Sequence, residues 1–198
     1  MTLRGRLAAT ATLAVLVAVP TAGCTRDGGD AREPSPSPSA SVSESPAPGE
    51  PVEVAIGQPA TVDLTGSAAT TQVAVTVTRV RRGRIQDLKD FVLDATVKQA
   101  TPYYADVRIE NTGEGAPSGA TLTLWGLDST DTVLPAADVR GTFGRCATKP
   151  LPKRFPPGSK AASCLLFLVP KGATLDEVQY RFNDGTTGPY SWPVPPGR

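Results

Sequence analysis

From about residue 51 onward the chain alternates apolar and polar residues with a period of two, which is the spacing of a β-strand rather than a helix. In residues 103–110 the odd positions, from Tyr103 to Ile109, are apolar, and the even positions after Tyr104 are charged. The turn sequence Asn111-Thr112-Gly113 follows directly. A strand of this kind buries one face and exposes the other. The alternation therefore predicts an all-β domain.

Other segments extend this prediction to a sandwich of two sheets. Comparable patterns predict strands at 72–80, 120–127, 177–182 and 190–192, with weaker ones at 52–56 and 61–64. Residues 164–169 are apolar at every position, which predicts a strand covered on both faces. Residues 85–91 favour one or two helical turns. Short strands separated by Gly and Pro turn signals are typical of a two-sheet β-sandwich.

The N-terminus has the layout of a secretory signal. Arg4 and Arg6 supply positive charge, and residues 7–19 form an apolar run shorter than the roughly 20 residues that a membrane-spanning helix needs. Ala22-Gly23-Cys24 resembles the lipobox of bacterial lipoproteins, although Thr21 stands where Leu is usual. The resemblance implies lipidation of Cys24 and removal of residues 1–23. The alternative is a free or disulfide-paired Cys24 beside an ordinary cleavage site.

A stalk and a single domain follow the signal. Residues 24–50 are rich in Pro, Ser, Ala and charge, and such a segment has too few apolar side chains to offset its ordering entropy. It is predicted to be a disordered linker with extended polyproline character. Residues 51–198 have the size of one ordinary domain.

Composition excludes several classes of function. The chain has no His, which removes Ser-His-Asp and Cys-His catalysis and His-ligated metals. The net charge of +1 gives no electrostatic basis for nucleic-acid binding. We expect no cofactor and no metal.

Two cysteines remain once Cys24 is assigned. Cys146 and Cys164 form an even pair, and outside the cytosol such a pair predicts a disulfide. A redox or metal-binding pair is the alternative, and the spacing is far from the C-x-x-C motif.

One long stretch carries only positive charge. No Asp or Glu occurs between Asp138 and Asp176. Its cations before Lys171 are Arg140, Arg145, Lys149, Lys153, Arg154 and Lys160. They form either a solvated loop or an electropositive face for anionic lipid headgroups or acidic wall polymers, with Arg140, Arg145, Lys149, Lys153 and Arg154 as the contacts.

Two aromatic residues are candidates for partner contacts. Trp125 falls on the polar side of its predicted strand, so it is either a core residue or an exposed ring that meets a partner. Tyr104 would join it if that face were exposed. Acidic residues such as Asp106 and Asp128 could serve a small hydrolase, but carboxylate pairs occur in any soluble domain. Residues 128–131 favour a hairpin turn over a calcium loop.

The order of these motifs resembles the immunoglobulin-like domains of Gram-positive, actinobacterial-type surface lipoproteins. The resemblance is carried by residues 75–80, by Ile109-Glu110-Asn111-Thr112-Gly113, and by Phe155-Pro156-Pro157-Gly158 before the strand with the second cysteine. It implies an immunoglobulin-like two-sheet β-sandwich at the cell surface and no activity.

Together these features predict a non-catalytic lipoprotein on the outer face of the cell membrane. It would present its domain as a binding module for an envelope protein or an acidic wall polymer. The alternatives are an accessory subunit of a membrane protein complex and a small extracellular hydrolase that uses carboxylates.

We expect Cys24 to decide where the protein is retained. Cys24→Ser removes the thiol that would carry two or three acyl chains, and these chains hold a protein stably where one would not. In a bacterial host that processes lipoproteins, the variant should move from the membrane fraction to the medium and lose its acyl mass. The double variant Cys146→Ser/Cys164→Ser keeps Cys24 and should stay with the membrane. A wild-type protein with an unmodified Cys24 would contradict the prediction.

Overall fold

In the computed structural model, residues 49–196 are described except for 68, 118, 140, 142, 185 and 186. The predicted signal peptide, Cys24 and nearly all of the predicted linker lie outside these residues. Within the described part of the chain, no helix is both long and apolar enough to cross a membrane.

Among the described residues of the domain there are nine strands and two short 3-10 helices. The strands are β1 (Val52–Glu53), β2 (Pro59–Thr65), β3 (Thr70–Arg82), β4 (Thr101–Asn111), β5 (Trp125–Asp128), β6 (Val133–Pro135), β7 (Lys160–Val169), β8 (Leu175–Tyr180) and β9 (Tyr190–Pro193). The 3-10 helices are Ile85–Leu88 and Val97–Gln99, both between β3 and β4.

The strands form two sheets that pack face to face, which confirms the predicted all-β sandwich. One sheet has the order β2-β3-β4-β7 and the other β1-β9-β8-β5-β6. Consecutive strands β4 and β5 lie in different sheets and pair with β7 and β8, respectively. Strands B and C of immunoglobulin domains pair with E and F in the same way.

The core lies between the sheets and follows the alternation of the sequence. Val73, Val75 and Val77 of β3 are fully buried, and polar or small residues stand between them. Trp192 of β9 is also fully buried, and its indole N–H donates to the carbonyl of Gln58 at 3.1 Å. Burying an aromatic residue of this size removes a large apolar area from water, and pairing its polar atom avoids a desolvation penalty.

The predicted strands at 72–80, 103–110 and 190–192 are confirmed, but the strand predicted at 120–127 is wrong over its first half. Only Trp125–Asp128 pairs with neighbours, and Trp125 lies opposite Gln179 and Pro135. Strand β8 ends at Tyr180, so residues 120–124 have no continuing partner on that side. Alternation in the sequence reports which side chains are buried, and it does not report whether a neighbouring strand extends far enough to pair.

Strand β7 is buried on both faces although it is the edge of its sheet. Phe167 and Val169 face the main core, while Cys164 and Leu166 belong to a second apolar cluster on the outer face. This confirms the prediction for residues 164–169. The outer cluster also contains Leu88, Tyr104 and Phe143, so the segments before β4 and before β7 cover this face.

The long connection between β6 and β7 covers the free edge of β7. We call residues 136–159 the edge loop. Its Ala137 N–H donates to the Leu166 carbonyl at 2.7 Å, and its Ala147 carbonyl accepts from the Cys164 N–H at 3.3 Å. The disulfide Cys146–Cys164, with a Cα–Cα distance of 5.1 Å, fixes the loop to the strand covalently. The predicted disulfide is therefore confirmed.

A buried amide fixes the far end of the edge loop. Asn111, at the end of β4, is 1% exposed, and its Nδ2 donates to the carbonyls of Gly115 and Phe155 at 2.8 and 2.7 Å. Its Oδ1 accepts from the Thr71 hydroxyl at 2.8 Å and from the Gly113 N–H at 3.2 Å. Asn111 thus joins β3, the turn after β4 and the edge loop through four hydrogen bonds.

We expect Asn111→Asp to destabilise the fold by about 3 kcal/mol, because it removes both donors and places a carboxylate against two carbonyl oxygens. Urea unfolding at pH 7 measures the loss. Asn183→Asp makes the same change at an exposed position and should alter the free energy of unfolding by less than about 0.5 kcal/mol. Equal effects of the two substitutions would contradict the role given to Asn111.

Candidate functional site

A cleft of about 390 Å³ opens between the two sheets beneath the edge loop. We call it the interior cleft. One wall is formed by inward side chains of β4 and β7, the second by residues 120–124 and the third by the edge loop. Most of its lining is apolar: Val107, Ile109, Ala120, Leu122, Leu124, Val139, Pro150, Leu151 and Leu165. Mostly apolar clefts of this size are the usual form of small-molecule sites.

The interior cleft is open because residues 120–124 do not continue β5. Leu124 is buried and packs into the core, whereas Thr121 is exposed at the cleft. A paired strand here would bring the second sheet over Val107 and Ile109. The irregular segment instead leaves a narrow cleft beside Val107 and Ile109, which themselves remain buried.

Two residues of opposite charge line the interior cleft, each where it adjoins a different neighbouring cleft. Lys149 also lines a second cleft, on the outer face of the four-stranded sheet. Asp138 also lines a third cleft, beside Leu166 and Leu168. Both charged side chains are exposed, and neither has an ion-pair partner among the described residues. The Lys149 backbone is held in place, since its N–H donates to the Ser163 hydroxyl at 2.9 Å.

The cleft on the outer face, which we call the basic cleft, lies beside the disulfide and measures about 320 Å³. Arg108, Arg145 and Lys149 line it together with Asp106. Sequence analysis missed Arg108 because it lies in β4, far from the basic stretch. Its place in the alternation, between Asp106 and Glu110, was the signal that put it on this outer face.

Asp106 is already neutralised within the sheet. A β-bulge in β3 brings Arg79 opposite Asp106, and the Arg79 guanidinium lies 3.0 Å from Oδ2 of that carboxylate. Arg81 approaches Oδ1 at 3.4 Å. The unpaired charges at this part of the surface are therefore the positive charges of Arg108 and Lys149.

A small polar network positions Arg145. Its Nε lies 3.5 Å from Oδ1 of Asp87, and its carbonyl accepts from Arg81 Nη2 at 3.4 Å. The Asp87 carboxylate also accepts from the Arg84 N–H and from the Tyr104 hydroxyl at 3.0 and 3.2 Å. The hydrogen bond from Arg84 is the largest influence on the pKa of Asp87, which is lowered overall despite burial. Arg145 is thus tied to a half-buried carboxylate whose pKa is lowered.

The remaining predicted cations do not form one face. Lys153 and Arg154 are exposed further along the edge loop, beside the buried Phe155, and line neither cleft. Arg140 lies outside the described residues. The structure thus brings Arg145 and Lys149 together with Arg108 in the basic cleft. Lys153 and Arg154 lie outside that cleft.

The two aromatic candidates have different surroundings. Tyr104 is 2% exposed in the outer apolar cluster, so it does not present the exposed ring that the hypothesis of a partner contact assumes. Its ring packs on Phe143, and the Arg81 guanidinium lies 5.3 Å from the ring centre. Trp125 is half-buried on the outer face of the five-stranded sheet, because the neighbouring Gly126 faces Phe167 and Leu175 in the core.

The acidic residues considered for catalysis have other contacts. Glu110 pairs with Lys160 at 3.2 Å. Asp128 is buried, and its Oδ1 accepts hydrogen bonds from Thr130 and Thr132, so residues 128–131 form the predicted hairpin turn between β5 and β6. Burial raises the pKa of Asp128, but these hydrogen bonds outweigh it and the net pKa is lowered. Within the described ranges, no group of three His, Cys, Asp or Glu side chains is placed to hold a metal ion.

Comparison with known proteins gave no relatives. No family model matches the chain, no curated protein is significantly similar to it, and no solved structure matches its fold at a significant level.

We expect the Tyr104 hydroxyl to make stability depend on alkaline pH. Burial, and then the Asp87 carboxylate, raise the pKa of Tyr104 from its ordinary value of 10.0 to about 12. Below pH 10 its contribution is complete. Between pH 10 and about 12 the unfolded chain loses this proton more readily than the folded one, so stability falls as pH rises.

Tyr104→Phe cannot ionise in either state. It should lose about 1–2 kcal/mol near pH 8 with its hydrogen bond to Asp87, and it should then decline less steeply than wild type above pH 10. Urea unfolding at several pH values compares the slopes. Parallel slopes would contradict the prediction.

Proposed function

We propose that this protein is a lipid-anchored, non-catalytic component of the cell envelope that uses its sandwich domain as a binding module. The interior cleft is its ligand site. The observation that carries the proposal is an apolar cleft of ligand size, about 390 Å³, built between a sheet and a covalently fixed loop.

The edge loop supports a binding role. Connections longer than about 15 residues are uncommon in compact domains and usually have a function when they are ordered. This one is attached to the sheet at its middle by the disulfide and near its end by Asn111. A binding site gains affinity when its walls are already ordered, because less conformational entropy is lost on binding.

The envelope location rests on the sequence and agrees with the redox chemistry. The signal-like N-terminus and the lipobox at Cys24 favour export and lipidation, and a Cys146–Cys164 disulfide persists in an oxidising compartment. The immunoglobulin-like order of β4, β5, β7 and β8 fits the resemblance to surface lipoproteins. The ion pairs on Asp106 and Glu110 favour structural roles for these carboxylates over catalysis.

The binding role can be tested with a neutral apolar dye, Nile red, titrated into the domain and followed by fluorescence. Ala120→Leu places a larger side chain in the interior cleft and should weaken dye binding at least fivefold. The matched control Ala74→Leu enlarges a half-buried alanine on the outer face of β3 and should leave dye affinity unchanged.

Thermal unfolding of each variant separates lost binding from lost folding. If Ala120→Leu unfolds, Thr121→Trp, at an exposed position on the rim of the cleft, should weaken dye binding instead. Absence of dye binding to the folded wild type, or equal binding by all folded variants, would overturn the proposed function.

A further inference from the structure

The mostly apolar interior cleft is lined by one cation, Lys149, and one anion, Asp138, and this lining identifies the class of its ligand. We infer that the cleft binds a single-chain anionic amphiphile, with the apolar chain inside it and the anionic head at Lys149. The inference rests on the proposed function, because it specifies the ligand of the same cleft.

The interior cleft and the basic cleft share one cation, Lys149. Arg108 also lines the basic cleft. Neither side chain has an ion-pair partner among residues that the structure describes, whereas the nearby Asp106 is held by Arg79 and Arg81. An anionic head at Lys149 would therefore meet unpaired positive charge without breaking an existing pair.

Asp138 sets the direction of binding. It lines the interior cleft where that cleft adjoins the third cleft, and an anionic head placed there would be repelled. After Asp138 the chain has no acidic residue before Asp176, so the rest of the edge loop adds no opposing charge at Lys149. A ligand with one charged end and one apolar end fits this arrangement in a single orientation.

Cleft size restricts the apolar part. About 390 Å³ lies near the lower limit of ligand sites, which extend from about 300 to 1,000 Å³. This volume suits one apolar chain rather than the two chains of a diacyl lipid. The Thr148 and Ser163 hydroxyls line the same cleft near Lys149. Thr148 donates to the Cys164 carbonyl, whereas Ser163 accepts from the Lys149 N–H and keeps its own proton to donate. The Lys149 ammonium supplies the positive charge for the head, and the Ser163 hydroxyl can add a hydrogen bond.

The test compares three probes that share one chain and differ in head charge: dodecanoate, dodecanol and dodecyltrimethylammonium. Each is titrated below its micelle concentration, at pH 7.5 and low salt, by displacement of Nile red from the protein. Dodecanoate should bind about fivefold more tightly than dodecanol, as expected for one partly exposed ion pair, and the cationic probe should bind most weakly. High salt should reduce the advantage of dodecanoate.

Variants of Lys149 and Asp138 test which charged residue causes the preference for dodecanoate. Lys149→Gln should bring dodecanoate affinity down to that of dodecanol and leave dodecanol unchanged. The matched control Lys98→Gln changes an exposed lysine outside both clefts and should alter neither affinity. Asp138→Asn should not weaken dodecanoate binding.

The outcomes separate this inference from the proposed function. Equal binding of all three probes, or a Lys149→Gln variant that still prefers dodecanoate, overturns the anionic assignment and leaves an apolar binding module. Failure of every probe and of Nile red to bind the folded protein overturns both. A diacyl phosphatidylglycerol dispersion that competes as well as dodecanoate overturns the restriction to one chain.

Discussion

The structure depends on covering one edge. Strand β7 is the last strand of its sheet, yet its side chains are apolar on both faces over residues 164–169. An open apolar edge is a template for pairing with another chain. Here the edge loop pairs two backbone groups of that edge. The Leu166 carbonyl accepts from the Ala137 N–H, and the Cys164 N–H donates to the Ala147 carbonyl. The second apolar cluster, the disulfide and the buried end of the loop at Phe155 all follow from this requirement.

The interior cleft is a consequence of how that edge is covered. The loop crosses β7 with irregular backbone, so it covers the strand edge without adding a strand to the sheet. Residues 120–124 also have irregular backbone, because β8 ends at Tyr180 and its pairing with this segment begins only at Trp125. Two irregular segments therefore face each other across the inner side of β4, and their side chains leave space between them that paired strands would fill. The same geometry stabilises the edge and creates the cleft.

The sequence predicts the strands far better than it predicts this site. Alternation in β3, β4 and β9 reflects burial on one face, and the uninterrupted apolar run in β7 reflects burial on two. A lone pair of cysteines outside the cytosol leaves few alternatives to Cys146–Cys164. The site needs information that no local pattern holds. Arg108 and Lys149 are far apart in the chain and meet only through strand pairing, and Tyr104 is hidden by Phe143 from a distant loop.

The electrostatics of the cleft follow from which charges are already paired. Arg79, Arg81 and Arg145 look equivalent to Arg108 and Lys149 in the sequence, but each of the first three lies against Asp106 or Asp87. Those ion pairs hold in place the bulge in β3 and the part of the edge loop next to Cys146. An anion that bound to these arginines would have to break the pairs. Lys149 has a fixed backbone and a free ammonium, so it can bind a new negative charge at little conformational cost to the fold. The basic residues around the two clefts thus divide into three that are held in ion pairs and two, Arg108 and Lys149, that have no such partner among the described residues.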